Sequence, residues 1–169
     1  MDEREFEHDL MPLALDQGGV TVVWSPLGCG RMSGKHRRSH PIDATSHPVQ
    51  NGDSAPPVPN ERLFAVMEDL DALAAETGHS VPQIALNLVL VRPSVATVII
   101  GVRNEAELID NLGAVGWVLW AGDCGPGAVG WNLSAGQIGR LDGASRIPLP
   151  CPNWHQAGFR SRNPAPVSE

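Results

Sequence analysis

Two short runs, Val20-Thr21-Val22-Val23-Trp24 and Val95-Ala96-Thr97-Val98-Ile99-Ile100, constrain this 169-residue chain more than any other feature in it. Each is apolar and β-branched with little alternation, the pattern of a strand buried on both faces, and helical sequence lies between them. Strands separated by helices pair in parallel through crossovers, so the expected class is a layered α/β fold and not a bundle or a sandwich. The helices carry their own signals. Phe6, Leu10, Leu13 and Ala14 recur at helical spacing over residues 2–17, and Gly18-Gly19 stops them. Asn60 reads as the cap of an amphipathic helix whose stripe is Leu63, Val66, Met67, Leu70, Leu73 and Ala74, ended by Gly78. Ser80 with Gln83 has capping-box spacing and opens a helix over 81–91, halted by Arg92-Pro93. Asn104 begins another over 105–112. A last one is expected at about 134–142, before a Pro-rich tail holding Trp154-His155-Gln156.

Charge and composition exclude several functions. The chain has 12 Lys plus Arg against 19 Asp plus Glu, a net charge of −7, which disfavours nucleic-acid binding. No run of about 18 apolar residues is present, so no membrane span is expected. The first ten residues, MDEREFEHDL, are acidic where a signal peptide would be basic and then apolar, and the three cysteines, Cys29, Cys124 and Cys151, are odd in number and scattered. A cytoplasmic, reducing compartment is the expectation. The chain contains no Tyr and a single Lys, Lys35, so chemistry that needs a Tyr acid cannot run on this polypeptide alone.

The expected organisation is one domain over residues 1–150 and a tail over 151–169. Within the domain, residues 36–60 are rich in Gly, Ser, His and Pro and read as a long loop. Residues 113–126 (GAVGWVLWAGDCGP) and 127–140 (GAVGWNLSAGQIGR) match at 9 of 14 positions without a gap. Two units are too few for a solenoid, so the duplication reads as a lengthened connection.

Two strand ends gather the candidate chemistry. The first strand leads into Ser25-Pro26-Leu27-Gly28-Cys29-Gly30 and the basic residues Arg31, Lys35, Arg37 and Arg38, combining small residues, backbone amides and positive charge as a phosphate cradle does. The second ends in Gly101-Val102-Arg103-Asn104 at a helix N-terminus, which favours an anion. Spacing alone leaves two readings open: one anionic ligand held by both ends, or two ordinary strand-to-helix turns beside a solvated basic loop. His36, His40 and His47 with Cys29 could ligate zinc, but there is no CxxC or HExxH, and solvated loop histidines are the plainer reading. No Gly-x-Ser-x-Gly elbow is present.

The segments TVVWSPLGCGRMSGK (21–35), LAAETGHSVPQIALNLVLVRPSVATVIIGVRNEAELIDNLGAVGW (73–117), NLSAGQIGRLDGAS (132–145) and PCPNWHQ (150–156) closely resemble the C-terminal portion of the aldo-keto reductase family. The resemblance implies the C-terminal part of a (β/α)8 TIM barrel, incomplete here, with the two apolar runs as its seventh and eighth strands and NADP(H) across their C-terminal ends. It implies that Trp24 lies against the nicotinamide, that Ser25, Pro26, Leu27, Gly28 and Cys29 follow the pyrophosphate, and that Lys35 belongs to a loop closing over it. Gly101, Arg103, Glu107, Asp110 and Asn111 would meet the adenosine 2′-phosphate and adenine. A carboxylate at Glu107, where members often carry Gln or Arg, leaves NAD open as the alternative. Cys151 stands where an aromatic is usual. The family's catalytic Asp, Tyr, Lys and His belong to earlier strands, so the implied function is an NADP(H)-dependent oxidoreductase of carbonyls reduced to its cofactor-binding fragment. On that reading a small carbonyl substrate is engaged only with an N-terminal half in place, and the open barrel edges promote self-association or poor folding. The alternatives are a noncatalytic nucleotide-binding or interaction module and a nonfunctional truncated product.

Overall fold

Parallel pairing of the two apolar runs organises the chain, and a computed structural model describes residues 4–39, 60–115 and 131–157. Strand β1 (Thr21–Trp24) lies beside β2 (Val95–Ile99), with Val22 opposite Thr97, Val23 opposite Val98 and Trp24 opposite Ile99. Thr21 sits opposite Val95, so Ala96 is an extra residue, a bulge near the start of β2. Two helices make the crossover: α2 (Asn60–Thr77) and α3 (Val81–Leu90). After β2 come α4 (Glu105–Leu112), a 3-10 turn at Gly113–Val115, α5 (Ala135–Ala144) and α6 (Asn153–Ala157). Among the described residues, a 3-10 turn at Glu5–Glu7 and α1 (Leu10–Asp16) precede β1. None of the described helices is long and apolar enough to cross a membrane.

The core sits in the helical layer. Leu63, Val66, Met67, Leu70 and Leu73 of α2 are buried against Val81, Ile84, Ala85 and Leu88 of α3, and Leu141 of α5 closes the cluster. The stripe read from the sequence is therefore the buried face of α2, although Asn60 is its first helical residue and not the residue before it. Met32 joins the core from the turns after β1, at 1% exposure, and so anchors that segment to the helices. Ser80 and Gln83 form the expected reciprocal capping box at α3, and Ser134 and Gln137 form a second one at α5.

Three expectations need correction. Residues 2–17 do not make one helix, because Pro12 has no N–H for the carbonyl of His8 and its ring crowds that carbonyl, so the helix restarts at Leu10. Its leucines are not buried: Leu10 is 57% and Leu13 56% exposed. The strands, expected to be covered on both faces, are covered on one. α3 packs on the sheet, while Val22, Trp24 and Ile99 on the other face are 52%, 77% and 58% exposed, no second layer lying over them among the described residues. Finally, the tail region forms the helix α6 at Trp154-His155.

Asn87, fully buried on α3, fastens the repeat region to the core. Its Nδ2 donates to the carbonyls of Ala114 (3.1 Å) and Trp131 (3.0 Å), and its Oδ1 accepts from the Leu133 amide (3.2 Å). The Trp131 indole N–H donates to the Gly113 carbonyl (3.0 Å), and the Trp131 ring stacks on His79 at 3.7 Å. Gly113 to Val115 of the first repeat copy thus adjoin Trp131 to Leu133 of the second, in the order that a single copy would give. The remainder of the duplication, at 116–130, lies outside the described residues. Deleting residues 117–130 should therefore leave the fold intact and stabilise it by about 1–2 kcal/mol, the loop-closure entropy of the shortened connection; urea unfolding of the two chains measures this. Asn87→Ala should cost about 2–4 kcal/mol in the same assay, because a buried amide and two carbonyls lose their partner together.

Candidate functional site at the strand tips

Because β1 and β2 run in parallel, their C-terminal tips share one edge of the sheet, and the segments that follow them meet there. After Trp24 the backbone enters left-handed conformations at Ser25 (φ 50°), Gly28 (φ 57°), Cys29 (φ 56°) and Gly30 (φ 89°). Glycine takes such angles freely, whereas Ser25 and Cys29 do so under strain, a condition found often at functional sites. Ser25 secures the bend: its hydroxyl oxygen accepts from the Cys29 amide at 3.0 Å, and its O–H faces Cys29 Sγ at 3.6 Å.

The sequence suggested that these turns offer free amides to an anion. Within the molecule the amides are already engaged. The Gly28 N–H donates to the Ser25 carbonyl (2.9 Å), that of Gly30 to Leu27 (3.1 Å), and that of Met32 to Leu27 as well (3.0 Å). Arg37 and Arg38, read as part of a basic patch, are held by α2: Arg37 pairs with Asp71 at 2.5 Å, while Arg38 pairs with Glu61 and Glu68 and lies over the Phe64 ring. Burial, then the charges of Arg31 and Arg37, push the His36 imidazole below its ordinary pKa. His40 and His47 lie outside the described residues, among which no cluster of His, Cys, Asp or Glu could hold a metal ion.

Positive charge does gather at the tips, around one carboxylate. The Lys35 ammonium is 2.7 Å from Glu107 Oε1, and the Arg103 guanidinium is 3.2 Å from the same oxygen. The Arg103 backbone N–H donates to Glu107 Oε2 at 3.0 Å. Asn104 caps α4, its side chain accepting from the Glu107 amide at 2.9 Å, which sets Glu107 on the first turn. The hydrogen bond from Lys35, then that from the Arg103 amide, pull the Glu107 carboxyl from an ordinary 4.5 to about 2. One carboxylate thus joins the segment after β1 to the segment after β2, 72 residues apart.

The other residues singled out in the sequence divide between the tip and the scaffold. Trp24 presents an exposed indole at the end of β1, and Pro26 and Leu27 lie in the adjoining turn. Gly101 is exposed, with open space where a Cβ would stand. Asp110 is engaged elsewhere: Gln83 Nε2 donates to its carboxylate (3.1 Å) and its carbonyl (3.0 Å), bracing α4 against α3. Asn111 is 7% exposed. Sequence reasoning missed Asn87, although a lone amide within the apolar run of α3 was a visible anomaly. It also missed Asp142, which Arg92 and Arg4 both grip. Burial pushes the Asp142 carboxyl up, but its bonds and charge pairing with Arg92 and Arg4 outweigh this and hold it below the ordinary range.

A parallel β-α-β layer with charged, turn-rich segments at the carboxyl edge of its strands defines a class of α/β protein whose ligands sit beyond that edge. Within that class the chain belongs to the aldo/keto reductase family, whose sequence model matches residues 1–122. It is 30% identical over 116 residues to a putative voltage-gated potassium channel subunit beta of Schizosaccharomyces pombe, covering 67% of this chain and 33% of that protein. It is 33% identical over 113 residues to the uncharacterized oxidoreductase YrpG of Bacillus subtilis, covering 67% and 32%. A solved structure of a glycerol dehydrogenase from Gluconobacter oxydans shares the fold at TM-score 0.58 and 21% identity, over 88% of this chain and 42% of that one. The chain spans about a third of the length of these curated relatives.

The depressed Glu107 carboxyl makes a prediction about acid. A group whose pKa falls on folding stabilises the fold above its unfolded value and loses that contribution as pH drops to the folded one. The Lys35–Glu107 link should thus hold at neutral pH and fade between about 4.5 and about 2. A carboxyl-detected NMR titration should place the Glu107 midpoint near 2, and Lys35→Met should move it back towards 4.5.

Proposed function

We propose that this chain is the cofactor-holding portion of a nicotinamide-dependent carbonyl oxidoreductase, with β1 and β2 as the seventh and eighth strands of a (β/α)8 barrel. The observation that carries this reading is the meeting of both strand tips at one edge, joined by Lys35, Glu107 and Arg103, with an exposed Trp24 indole at the end of β1. The fit to NADP(H) or NAD(H) is partial. An exposed aromatic face, two cations and open space at Gly101 suit a dinucleotide, whereas the amides of Gly28, Cys29 and Gly30 already have acceptors in the turns. A phosphate there would rely on side-chain charge more than on a backbone cradle.

Residue by residue, Trp24 would support the nicotinamide and the turn from Ser25 to Cys29 would flank the pyrophosphate. Lys35 and Arg103 would steer the charged adenosine end, with Gly101 and Asn111 near the adenine. In this reading Asp110 keeps its structural bond to Gln83. The bound cofactor would supply hydride to a carbonyl carbon. The carbonyl oxygen must also gain a proton, and a chain with no Tyr lacks the phenol that the resemblance assigns to that step. The chain alone is therefore catalytically silent. A companion carrying the other strands would provide the proton donor and most of the substrate pocket, and would cover the bare face at Val22, Trp24 and Ile99. The acidic charge and scattered cysteines support a cytoplasmic setting.

Titrating the purified chain with NADPH and with NADH while following Trp fluorescence should show quenching for at least one of them, with no turnover of an aldehyde. Loss of the signal in Trp24→Phe assigns it to the β1 tip. No binding of either nucleotide, or turnover by the chain alone, overturns the reading.

A further inference from the structure

The fold has one seat for a Trp-x-Leu segment, and the sequence carries two such segments, each preceded by Gly-Ala-Val-Gly. The seat lies on α3 and the turns beside it. The Trp131 ring stacks on His79 at 3.7 Å with the planes 7° apart, and its indole N–H donates to the Gly113 carbonyl at 3.0 Å. Leu133, at 5% exposure, enters the core, and Asn87 holds the segment through the Trp131 carbonyl and the Leu133 amide. Asn132, between these two anchors, is exposed. Trp117-Val118-Leu119 therefore repeats both side chains that the seat reads and differs at the position the seat leaves in solvent, where a substitution costs little.

We infer that Trp117-Val118-Leu119 is an alternative occupant of this seat, which gives the chain two registers fourteen residues apart. In the observed register the extra length runs between Val115 and Trp131; in the other it runs between Leu119 and Ser134. The extra length is the same in both, so loop-closure entropy scarcely separates them. The exchange stops short of α5. Pro126 is the counterpart of Arg140 in the interior of that helix, where a residue without an N–H breaks the ladder, and Trp120 and Asp123 are the counterparts of the capping pair Ser134 and Gln137. Helix α5 also keeps Ile138 against the core and Arg140 on Asp69 at 2.7 Å, so it stays in place while the seat changes occupant. Two packings this similar interchange as a two-state equilibrium, and a contact that favours one placement of the extra length selects the register. This device is independent of the dinucleotide reading.

The test uses the full chain with Trp117→Ala, with Trp131→Ala and with both, followed by urea unfolding and by hydrogen exchange of isotope-labelled indole N–H groups. Trp24 and Trp154, both exposed, serve as fast-exchanging references. The wild type and Trp117→Ala should share one urea midpoint and one slowly exchanging indole, that of the seated Trp131. Trp131→Ala should keep a slow indole, now that of Trp117, with a small fall in midpoint. The double substitution should abolish the slow indole and lower the midpoint about threefold further than Trp131→Ala, the non-additivity of two side chains that share one seat. A Trp131→Ala chain that unfolds or has no slow indole, or a double substitution no worse than Trp131→Ala, overturns the inference. So does a double that retains a slow indole, or a Trp117→Ala chain that loses as much as Trp131→Ala, since Trp117 would then hold a place of its own.

Discussion

Parallel pairing of β1 and β2 is the constraint on which the rest of the structure depends. Two parallel neighbours cannot be joined by a tight turn, so the chain must leave the tip of β1, cross the layer and return to the start of β2. The helices α2 and α3 make that return, and α3 covers one face of the sheet. Three features follow: both strand tips share an edge, the opposite face carries Val22, Trp24 and Ile99 in the open, and the segment after each tip is free of the sheet and able to meet the other. The Lys35–Glu107 pair is that meeting.

Stability resides away from the strands. The buried apolar cluster is drawn mainly from α2, α3 and α5 with Leu133 before α5, and Met32 pins the first tip segment to them. Polar side chains do the remaining fastening. Gln83 completes the α3 capping box through its Oε1 and braces α4 through its Nε2, so one side chain ties a helix start to a neighbouring helix. Arg4 reaches Asp142 and Ser145, joining the first turn of the chain to α5. Such links at the margins give a small layer definition where its apolar area is thin.

Local chemistry was legible in the sequence, and mutual placement was not. Ser80 with Gln83 and Asn104 before Glu105 announced helix starts because a cap involves only three or four consecutive residues. The stripe on α2 was legible because helical periodicity shows which side chains share a face. Burial of the strands was misread because an apolar run records what the strand is suited to, while coverage depends on which layers are present. The phosphate-cradle reading of the turn after β1 recognised its residue types but could not foresee that Ser25 and Leu27 would claim the amides first. Glu107 was seen in the sequence as a carboxylate out of place. That its partner is Lys35, far away in the chain, emerges only once the strands are side by side.

The Asn87 clamp has a broader implication. Its hydrogen bonds all go to main-chain atoms, the carbonyls of Ala114 and Trp131 and the amide of Leu133. Such a fastening is indifferent to the side chains it holds and to how many residues intervene between them, since the entropy of a longer excursion grows only logarithmically. The join between Val115 and Trp131 is thus a place where this fold can carry added length, and the duplicated fourteen residues are the length that this sequence carries there.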